Sequence, residues 1–330
     1  MTAPKLRISV ALCTYNGSRF LPEQLASIAA QTRLPDEMVV CDDCSSDSTR
    51  EIIREFARTA PFPVRFVSNS ANLGSTKNFE KAIGLCTGDL IALCDQDDIW
   101  LPEKLARQLA VLESDPSLGG VFSDAELIDA SSRPIGRRLW ANFLFTPRDQ
   151  IRFQSGHGAN VLLKGNVVTG ATLMFRASLR PVLMPIPAIW VHDVWIAWML
   201  LVHSKLTFIS EPLMQYRLHS GQQIGVEALA LSALPLRRRL EKGKRAEPAK
   251  HLAEAAGFEE LSRNILASDE GRNRDTALRI QQKIAFLRDR AAPYTSRPTK
   301  ALQLLMRAGD YQRYERSWKS FVRDIVMVFV

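Results

Sequence analysis

The feature that most constrains the fold is a repeated passage from a nearly continuous apolar run into a short polar cluster. It occurs at "ISVALCTYN" (residues 8–16), "EMVVCDD" (37–43) and "DLIALCDQDD" (89–98). A strand that is apolar on both faces must be covered on both faces, and such strands belong to parallel sheets. Segments with helical spacing lie between the runs. "GSRFLPEQLASIAAQT" puts Leu21, Leu25 and Ile28 on one face and tolerates Pro22 in its first turn. "SSDSTREIIREFA" carries Ser48 and Glu51 at capping-box spacing, and "STKNFEKAIGLCTG" repeats the plan. Strand and helix alternate, which predicts an α/β domain whose mostly parallel sheet is covered by helices on both faces. In such a sheet the carboxyl ends share one edge, and ligands bind in the crevice there. Thr14–Asn16, Cys41–Asp43 and Cys94–Asp98 are therefore expected to converge on one site.

The last cluster is the most demanding. Asp95, Asp97 and Asp98 repel one another at neutral pH unless a cation, backbone donors or full solvation compensates. A crevice with several carboxylates suits a phosphate ligand held through a metal. Neither G-x-G-x-x-G after the first strand nor G-x-x-x-x-G-K-[ST] is present, so neither a dinucleotide fold nor a P-loop is indicated. The remaining route is a hard divalent cation, Mg²⁺ or Mn²⁺, held by one or two carboxylates plus substrate phosphates. The plainer alternative, strongest for Asp98, is a cap on the helix that follows Pro102.

Farther along, "IWLPEKLARQLAVLESDP" reads as a helix and "LGGVFSDAELID" as a strand. Trp140 to Gly165 reads as loop-rich, and "NVVTGATLMFR" as a strand after it. In "IPAIWVHDVWIAWMLLVHS", His192 and Asp193 open a strongly apolar helix, and Trp190, Trp195 and Trp198 have the spacing of core residues rather than of a sugar platform. The strand "KLTFISEPLMQYRLHS" leads into a basic helical tail. Residues 1–227 hold 22 Lys and Arg against 23 Asp and Glu, whereas residues 228–330 hold 21 against 12, so the whole basic excess lies in the tail. The expected division is a core domain over 1–227 and a helical basic region over 228–330. Five cysteines, with no second pair for Cys41 and Cys44, read as reduced thiols of a cytoplasmic protein. The first apolar run is too short and too early for a signal peptide, and no window approaches the roughly 18 apolar residues of a spanning helix.

Five stretches in order, "ISVALCTYNGSRFLPEQLASIAAQT", "VVCDDCSSDST", "NLGSTKNFEKAIGLCTGDLIALCDQDDIWLPEKL", "VTGATLMF" and "HDVWIAWM", resemble the inverting family 2 glycosyltransferases with a GT-A fold. The resemblance runs from Arg7 to Gln222. "DQDDIW" and "YRLHSGQQ" are similar to the bacterial polysaccharide rhamnosyltransferases, which often use a dTDP sugar. It implies that Thr14, Tyr15 and Asn16 form part of the nucleotide pocket, that Asp43 hydrogen-bonds the pyrimidine base and that Asp95 lies near the ribose. It also implies Asp97 as the metal ligand on the diphosphate, His219 as a further ligand and Asp193 as the catalytic base. His192 stands where the family often has Glu. The alternatives are a helix-start role for Asp193, and phosphate binding or loop stiffening for His219.

The chemistry agrees with that set. A nucleotide-sugar transferase must stabilise a departing diphosphate and accept a proton from the acceptor on the opposite face of the sugar. A hydrolase would instead pair a protonated acid with a second carboxylate. The expected partners are a nucleotide-diphosphate sugar, with a dTDP sugar favoured, and a glycan or lipid-linked glycan acceptor. The tail, with "LRRRLEKGKR" and "SWKSFVRDIVMVFV", could rest against anionic lipid at the inner face of the cytoplasmic membrane, with Phe321, Val322, Ile325 and Val326 on one face. The bland alternative packs that stripe on the protein itself. Nucleic acid is not expected, since no aromatic residues alternate with the basic run. Two rivals are a sugar nucleotidylyltransferase, for which "CTYNGSRFL" is a poor phosphate loop, and a non-catalytic nucleotide-sugar sensor or assembly scaffold. His157, in the glycine-flanked "SGHGAN", suggests a flexible acceptor-side loop, although a lone loop histidine is more often an ordinary loop residue.

Overall fold

The computed structural model describes residues 5–220, 236–268, 273–292 and 297–329. They form two compact units: the residues up to Thr146 with Val167–His219, and Pro147–Asn166 with the residues from Ser220 onward. The sequence-based division at 227 differs in two respects, the first being that the first unit ends at His219. In addition, Pro147–Asn166 joins the second unit, where Arg316 donates to the Gly165 carbonyl at 2.6 Å.

The first unit begins β1 (Ile8–Thr14), α1 (Leu21–Ala29), β2 (Glu37–Asp42), α2 (Thr49–Thr59), β3 (Val64–Ser68), α3 (Ser75–Leu85) and β4 (Leu90–Cys94). The two-residue β5 (Ile99–Trp100), α4 (Lys104–Ser114), β6 (Leu118–Ile128) and β7 (Pro134–Arg138) follow. After the excursion come β8 (Met174–Arg176), α5 (His192–His203) and β9 (Lys205–Arg217). The sheet order is β3-β2-β1-β4-β8-β6-β9-β5, with β7 paired to β6. The β3-β2-β1-β4 half is wholly parallel, and its order reverses at β1, so the crevice between β1 and β4 is a switch point. The other half is mixed: β8 runs antiparallel to both β4 and β6, and β6 is parallel to β9. This mixture is where "NVVTGATLMFR" departs from expectation. Only Met174–Arg176 forms a strand, because Gly170–Thr172 folds into a 3-10 turn.

All seven residues of β1 and all five of β4 are buried, as a sheet covered on both faces requires. Leu21, Leu25 and Ile28 of α1 and Leu105, Leu109 and Leu112 of α4 pack into the same core. At about 1.5–3 kcal/mol for each buried aliphatic side chain, these faces account for much of why the helices form. Trp195 and Trp198 are core residues at 2% and 1% exposure. The Ser48–Glu51 capping box does not form. Asp47 Oδ1 takes the α2 amide instead, accepting from Thr49 N at 3.1 Å and from Thr49 Oγ1 at 2.5 Å. All five cysteines are free.

The second unit holds short helical turns at Pro147–Arg152 and Gly158–Leu162, then α6 (Leu236–Ser268), α7 (Arg274–Ala291), α8 (Arg297–Met306), α9 (Ala308–Tyr314) and α10 (Trp318–Phe329). Its organising cation is Arg290, which donates to Asp324 at 2.7 Å, ion-pairs with Glu315 and lies over the Phe286 and Tyr311 rings. The expected single apolar face of α10 is split. Phe321 turns to Tyr311 and Trp318, whereas Trp318, Val322 and Val326 stay exposed. Leu302, Leu305 and Met306 on α8, which packs beside α10, are exposed as well. The side chains of "LRRRLEKGKR" lie outside the described residues. No helix among the described residues is long and apolar enough to cross a membrane.

Candidate active site

The polar strand ends meet, and hydrogen bonds show how. Thr14 Oγ1 donates to Asp42 Oδ1 at 3.0 Å, tying β1 to β2. Beyond Thr14 the chain turns through Asn16 in the left-handed region at φ 47°. Asn16 N donates to Ser45 Oγ at 2.9 Å, and Asn16 Oδ1 accepts from Ser46 N at 2.8 Å. Tyr15 and Gln96 exchange two bonds, Tyr15 N to Gln96 Oε1 at 2.9 Å and Gln96 Nε2 to the Tyr15 carbonyl at 3.0 Å. The acidic loop after β4 is thereby laid against the β1 turn, and the Tyr15 ring is left 48% exposed.

Asp43 is 3% exposed and ties down the loop before α3. Its Oδ1 accepts from Asn69 Nδ2 and Leu73 N, both at 2.8 Å, and its Oδ2 from Gly74 N at 2.9 Å. Three amide donors occupy its two oxygens and fix its orientation.

β5 pairs antiparallel with β9, placing Ile99 opposite Gln215 and Trp100 opposite Met214, so the acidic loop lies beside the end of β9. There His219 Nε2 and Asp97 Oδ2 are 2.8 Å apart, and the imidazole packs on Phe20 at 4.7 Å. Arg217, fully buried, binds this corner together. Its backbone N–H donates to Asp98 Oδ1 at 3.0 Å, its Nε to the Asp97 carbonyl at 2.6 Å, and its terminal nitrogens to Ser132 Oγ at 2.8 Å and Glu23 Oε2 at 2.7 Å. Asp98 is therefore an anchor for β9 and not a helix cap; α4 starts at Lys104 with Glu103 in the cap position. Burial, and then the charges of Asp97 and Asp95, push the Asp98 carboxyl well up, and its Oδ2 has no hydrogen-bond partner among the described residues.

Asp193 lies in the first turn of α5, whose cap position is Val191. Its Oδ2 accepts from Gly170 N at 3.2 Å. Burial raises its carboxyl to about 6, and the Gly170 and neighbouring backbone N–H groups hold it from going higher. Asp95 is pushed up to about 8 by burial, then by the charges of Asp97 and Asp193. Asp193 thus acts on Asp95 through space, and the four carboxylates at 95, 97, 98 and 193 all raise Tyr216 after its burial does. The 3-10 turn beneath Asp193 is held from α4: Lys104 Nζ donates to the Ala171 carbonyl at 2.9 Å and Gln108 Nε2 to the Thr172 carbonyl at 2.8 Å. His192 is buried, stacks on Phe79 at 4.0 Å between centroids and is lowered to about 3 by burial, so it is a neutral structural ring.

Residues 9–178, just over half of the chain, match the sequence profile of glycosyl transferase family 2. The chain belongs to this family. An uncharacterised glycosyltransferase of Nostoc is 32% identical over 130 residues, which are 39% of this chain and 40% of that protein. An Escherichia coli protein, UDP-Glc:alpha-D-GlcNAc-diphosphoundecaprenol beta-1,3-glucosyltransferase WfgD, is 28% identical over 125 residues, 38% of this chain and 48% of its own length. The match thus spans under half the length of these curated relatives. Among solved structures, Staphylococcus aureus TarS in complex with UDP-GlcNAc superposes with a TM-score of 0.56 at 16% identity, covering 96% of this chain and 92% of that one. The Pyrobaculum calidifontis mannosyltransferase PcManGT, in complex with GDP-Man and Mn²⁺, gives 0.55 at 18% identity, covering 98% and 86%. At such identities the likeness establishes the GT-A fold expected from the sequence.

Every residue singled out by family 2 resemblance, Thr14, Tyr15, Asn16, Asp43, Asp95, Asp97, Asp193 and His219, falls in the first unit. Among the described residues no cluster of three or more His, Cys, Asp or Glu forms a ready-made metal cage. The Asp97–His219 pair still fits Mg²⁺ or Mn²⁺, since one carboxylate and one imidazole are donors such an ion accepts when substrate phosphates complete the shell. Sequence reasoning missed Arg217, Glu23, Gln96, Lys104 and Gln108. Only Arg217, two positions before His219 in "YRLHS", carried any signal.

Proposed function

We propose that this chain is a metal-dependent inverting glycosyltransferase that moves a sugar from a nucleotide-diphosphate donor to a glycan or lipid-linked glycan acceptor in cell-surface polysaccharide synthesis. The observation that carries the reading is one electrostatic neighbourhood: a raised carboxyl at Asp193 and the Asp97–His219 pair, linked through Asp95. Thr14, Tyr15 and Asn16 form the nucleotide wall, with the exposed Tyr15 ring available for stacking. Asp43 shapes the base pocket and reads the base, and Asp95 meets the ribose. Asp97 and His219 hold the metal. A bound Mg²⁺ or Mn²⁺ supplies Lewis-acid stabilisation of the departing diphosphate.

In the step itself the acceptor oxygen attacks the anomeric carbon from the face opposite the leaving group. The new C–O bond forms as the bond to the diphosphate breaks, and Asp193 takes the acceptor's proton. A carboxyl near 6 is ionised at neutral pH yet basic enough for that transfer. One displacement without an enzyme nucleophile inverts the configuration.

The "DQDDIW" and "YRLHSGQQ" forms favour a dTDP sugar, with L-rhamnose as the transferred group. The exposed Trp318, Val322 and Val326, beside the basic Lys319 and Arg323, favour peripheral contact with anionic lipid at the cytoplasmic face of the membrane. Calorimetric titration with dTDP, UDP and GDP, each with and without Mn²⁺, tests the core of this reading. Metal-dependent preference for one nucleotide, lost in Asp97→Ala, is expected. No binding to any of the three sinks it.

A further inference from the structure

A cavity of about 900 Å³ is lined wholly by the second unit and by none of the acidic-site residues. It lies among the Pro147–Asn166 excursion, α7 and α9, and it takes in His157 of the "SGHGAN" stretch, for which the first unit has no use. Its size is at the upper end of the range of small-molecule sites, about 300–1,000 Å³.

Four cations, Arg152, Lys164, Arg279 and Arg313, line it against one acid, Asp275. Their partners are unequal. Arg279 is committed to Asp275 at 2.8 Å, and Lys164 faces Asp149 at 3.5 Å. Arg313 is only loosely matched, at 3.7 Å from Asp310 and 70% exposed, and Arg152 has no carboxylate partner among the described residues. Two guanidinium groups are therefore available to an anion, and guanidinium forks suit phosphate and carboxylate oxygens.

The rest of the lining is uncharged and hydrogen-bonding. Asn160, Gln282 and Gln312 present amides, and the Tyr314 hydroxyl donates to Gln282 Oε1 at 3.2 Å, which leaves the Gln282 amino group as a donor toward a guest. Leu278, 54% exposed, adds an apolar floor. Amides alternating with a small apolar surface suit the hydroxyls and C–H faces of a sugar, and the arginines suit a charge attached to it.

We propose that this cavity binds an anionic saccharide, a sugar carrying a phosphate or carboxylate, as a recognition site for the acceptor glycan that is separate from the donor pocket. The assignment of that ligand as acceptor rests on the transferase reading; the binding chemistry does not. Arg152 and Arg313 hold the charged group, and Asn160, Gln282 and Gln312 hold the sugar hydroxyls.

The test uses the full chain and calorimetric titration with three probes: glucose 1-phosphate, glucose and inorganic phosphate. Glucose 1-phosphate should bind at least about 10-fold more tightly than either other probe, and saturation with Mn²⁺ and nucleotide should not displace it. Arg152→Gln with Arg313→Gln should weaken it by a similar factor while leaving nucleotide binding unchanged, which also reports that the protein is folded. Equal affinity for inorganic phosphate would reduce the cavity to a general anion site and overturn the saccharide assignment. Equal affinity for glucose would overturn the role of the arginines, and unchanged binding in the double variant would place the ligand elsewhere. Nucleotide binding without glucose 1-phosphate binding defeats this proposal alone; the converse defeats the donor site alone.

Discussion

The raised carboxyl of Asp193 makes a quantitative prediction about pH. Burial lifts it from 3.8 to about 6, against the pull of the Gly170 N–H. A base at that value is about 90% ionised at pH 7 and about 10% ionised at pH 5, so kcat should fall roughly 10-fold over that interval. A carboxylate at its ordinary value would lose less than about 10% over the same range. The assay is kcat at saturating donor, acceptor and Mn²⁺, which reports the substrate-bound enzyme. The same shift has a stability consequence with a definite sign. The folded value is raised, so the ionised form is disfavoured in the native state. Asp193 contributes nothing below about pH 4, where both states are protonated; stability then falls as pH rises from about 4 to 6 and stays lower above that. The penalty for a shift of this size is about 3 kcal/mol. Asp193→Asn should therefore unfold at higher urea concentration at pH 7 while losing at least about 10²-fold in turnover. A flat kcat between pH 5 and 7, or an Asn variant with near-normal turnover, would remove Asp193 as the base.

Three further substitutions probe the groups that position the site. Arg217→Met removes bonds to the Asp97 carbonyl, Ser132 and Glu23; urea denaturation should show a loss of about 2–4 kcal/mol, and a variant as stable as the parent would contradict the buried network. In Gly170→Ala the new Cβ would lie 2.8 Å from His192 Nε2, in a ring already stacked on Phe79, so the turn under Asp193 must move. Turnover should drop about 10-fold or more with Mn²⁺-nucleotide binding intact, and parallel losses in both would point to general unfolding. Gly17→Ala puts a Cβ 2.0 Å from Gln96 Oε1, which can swing aside only by releasing Tyr15; titration should show several-fold weaker nucleotide binding with little change in thermal midpoint.

The legible part of this protein was the part written in contiguous residues. A run such as "DLIALCDQDD" contains both the strand and the group it delivers, so the convergence of three strand ends followed from period and composition. Arg217 was not legible in that way. Its meaning comes from partners at Glu23, Asp97 and Ser132, which the β5–β9 pairing brings to it across much of the chain. Lys104 and Gln108 look like ordinary residues of an amphipathic helix, and only the fold reveals that they hold the turn under Asp193. The Ser48–Glu51 spacing forms no capping box; Asp47, one position earlier, instead accepts from the backbone and hydroxyl of Thr49 at the start of the helix. Reading Trp140 to Gly165 as loop-rich missed the short helical turns there and their membership of the second unit.

That membership bears on how the protein can be cut apart. The second unit is assembled from two stretches separated by Val167–His219, so its structure is not carried by one continuous segment. A chain stopped after His219 would keep Phe153, Val161 and Leu162, all nearly fully buried here, while Arg316, α7 and α9 would be gone. Such a fragment would present a sticky apolar surface in the middle of its sequence. A clean separation calls for two cuts and a short bridge from Thr146 to Val167, and the excised loop would have to be returned to the helical piece for that piece to be whole.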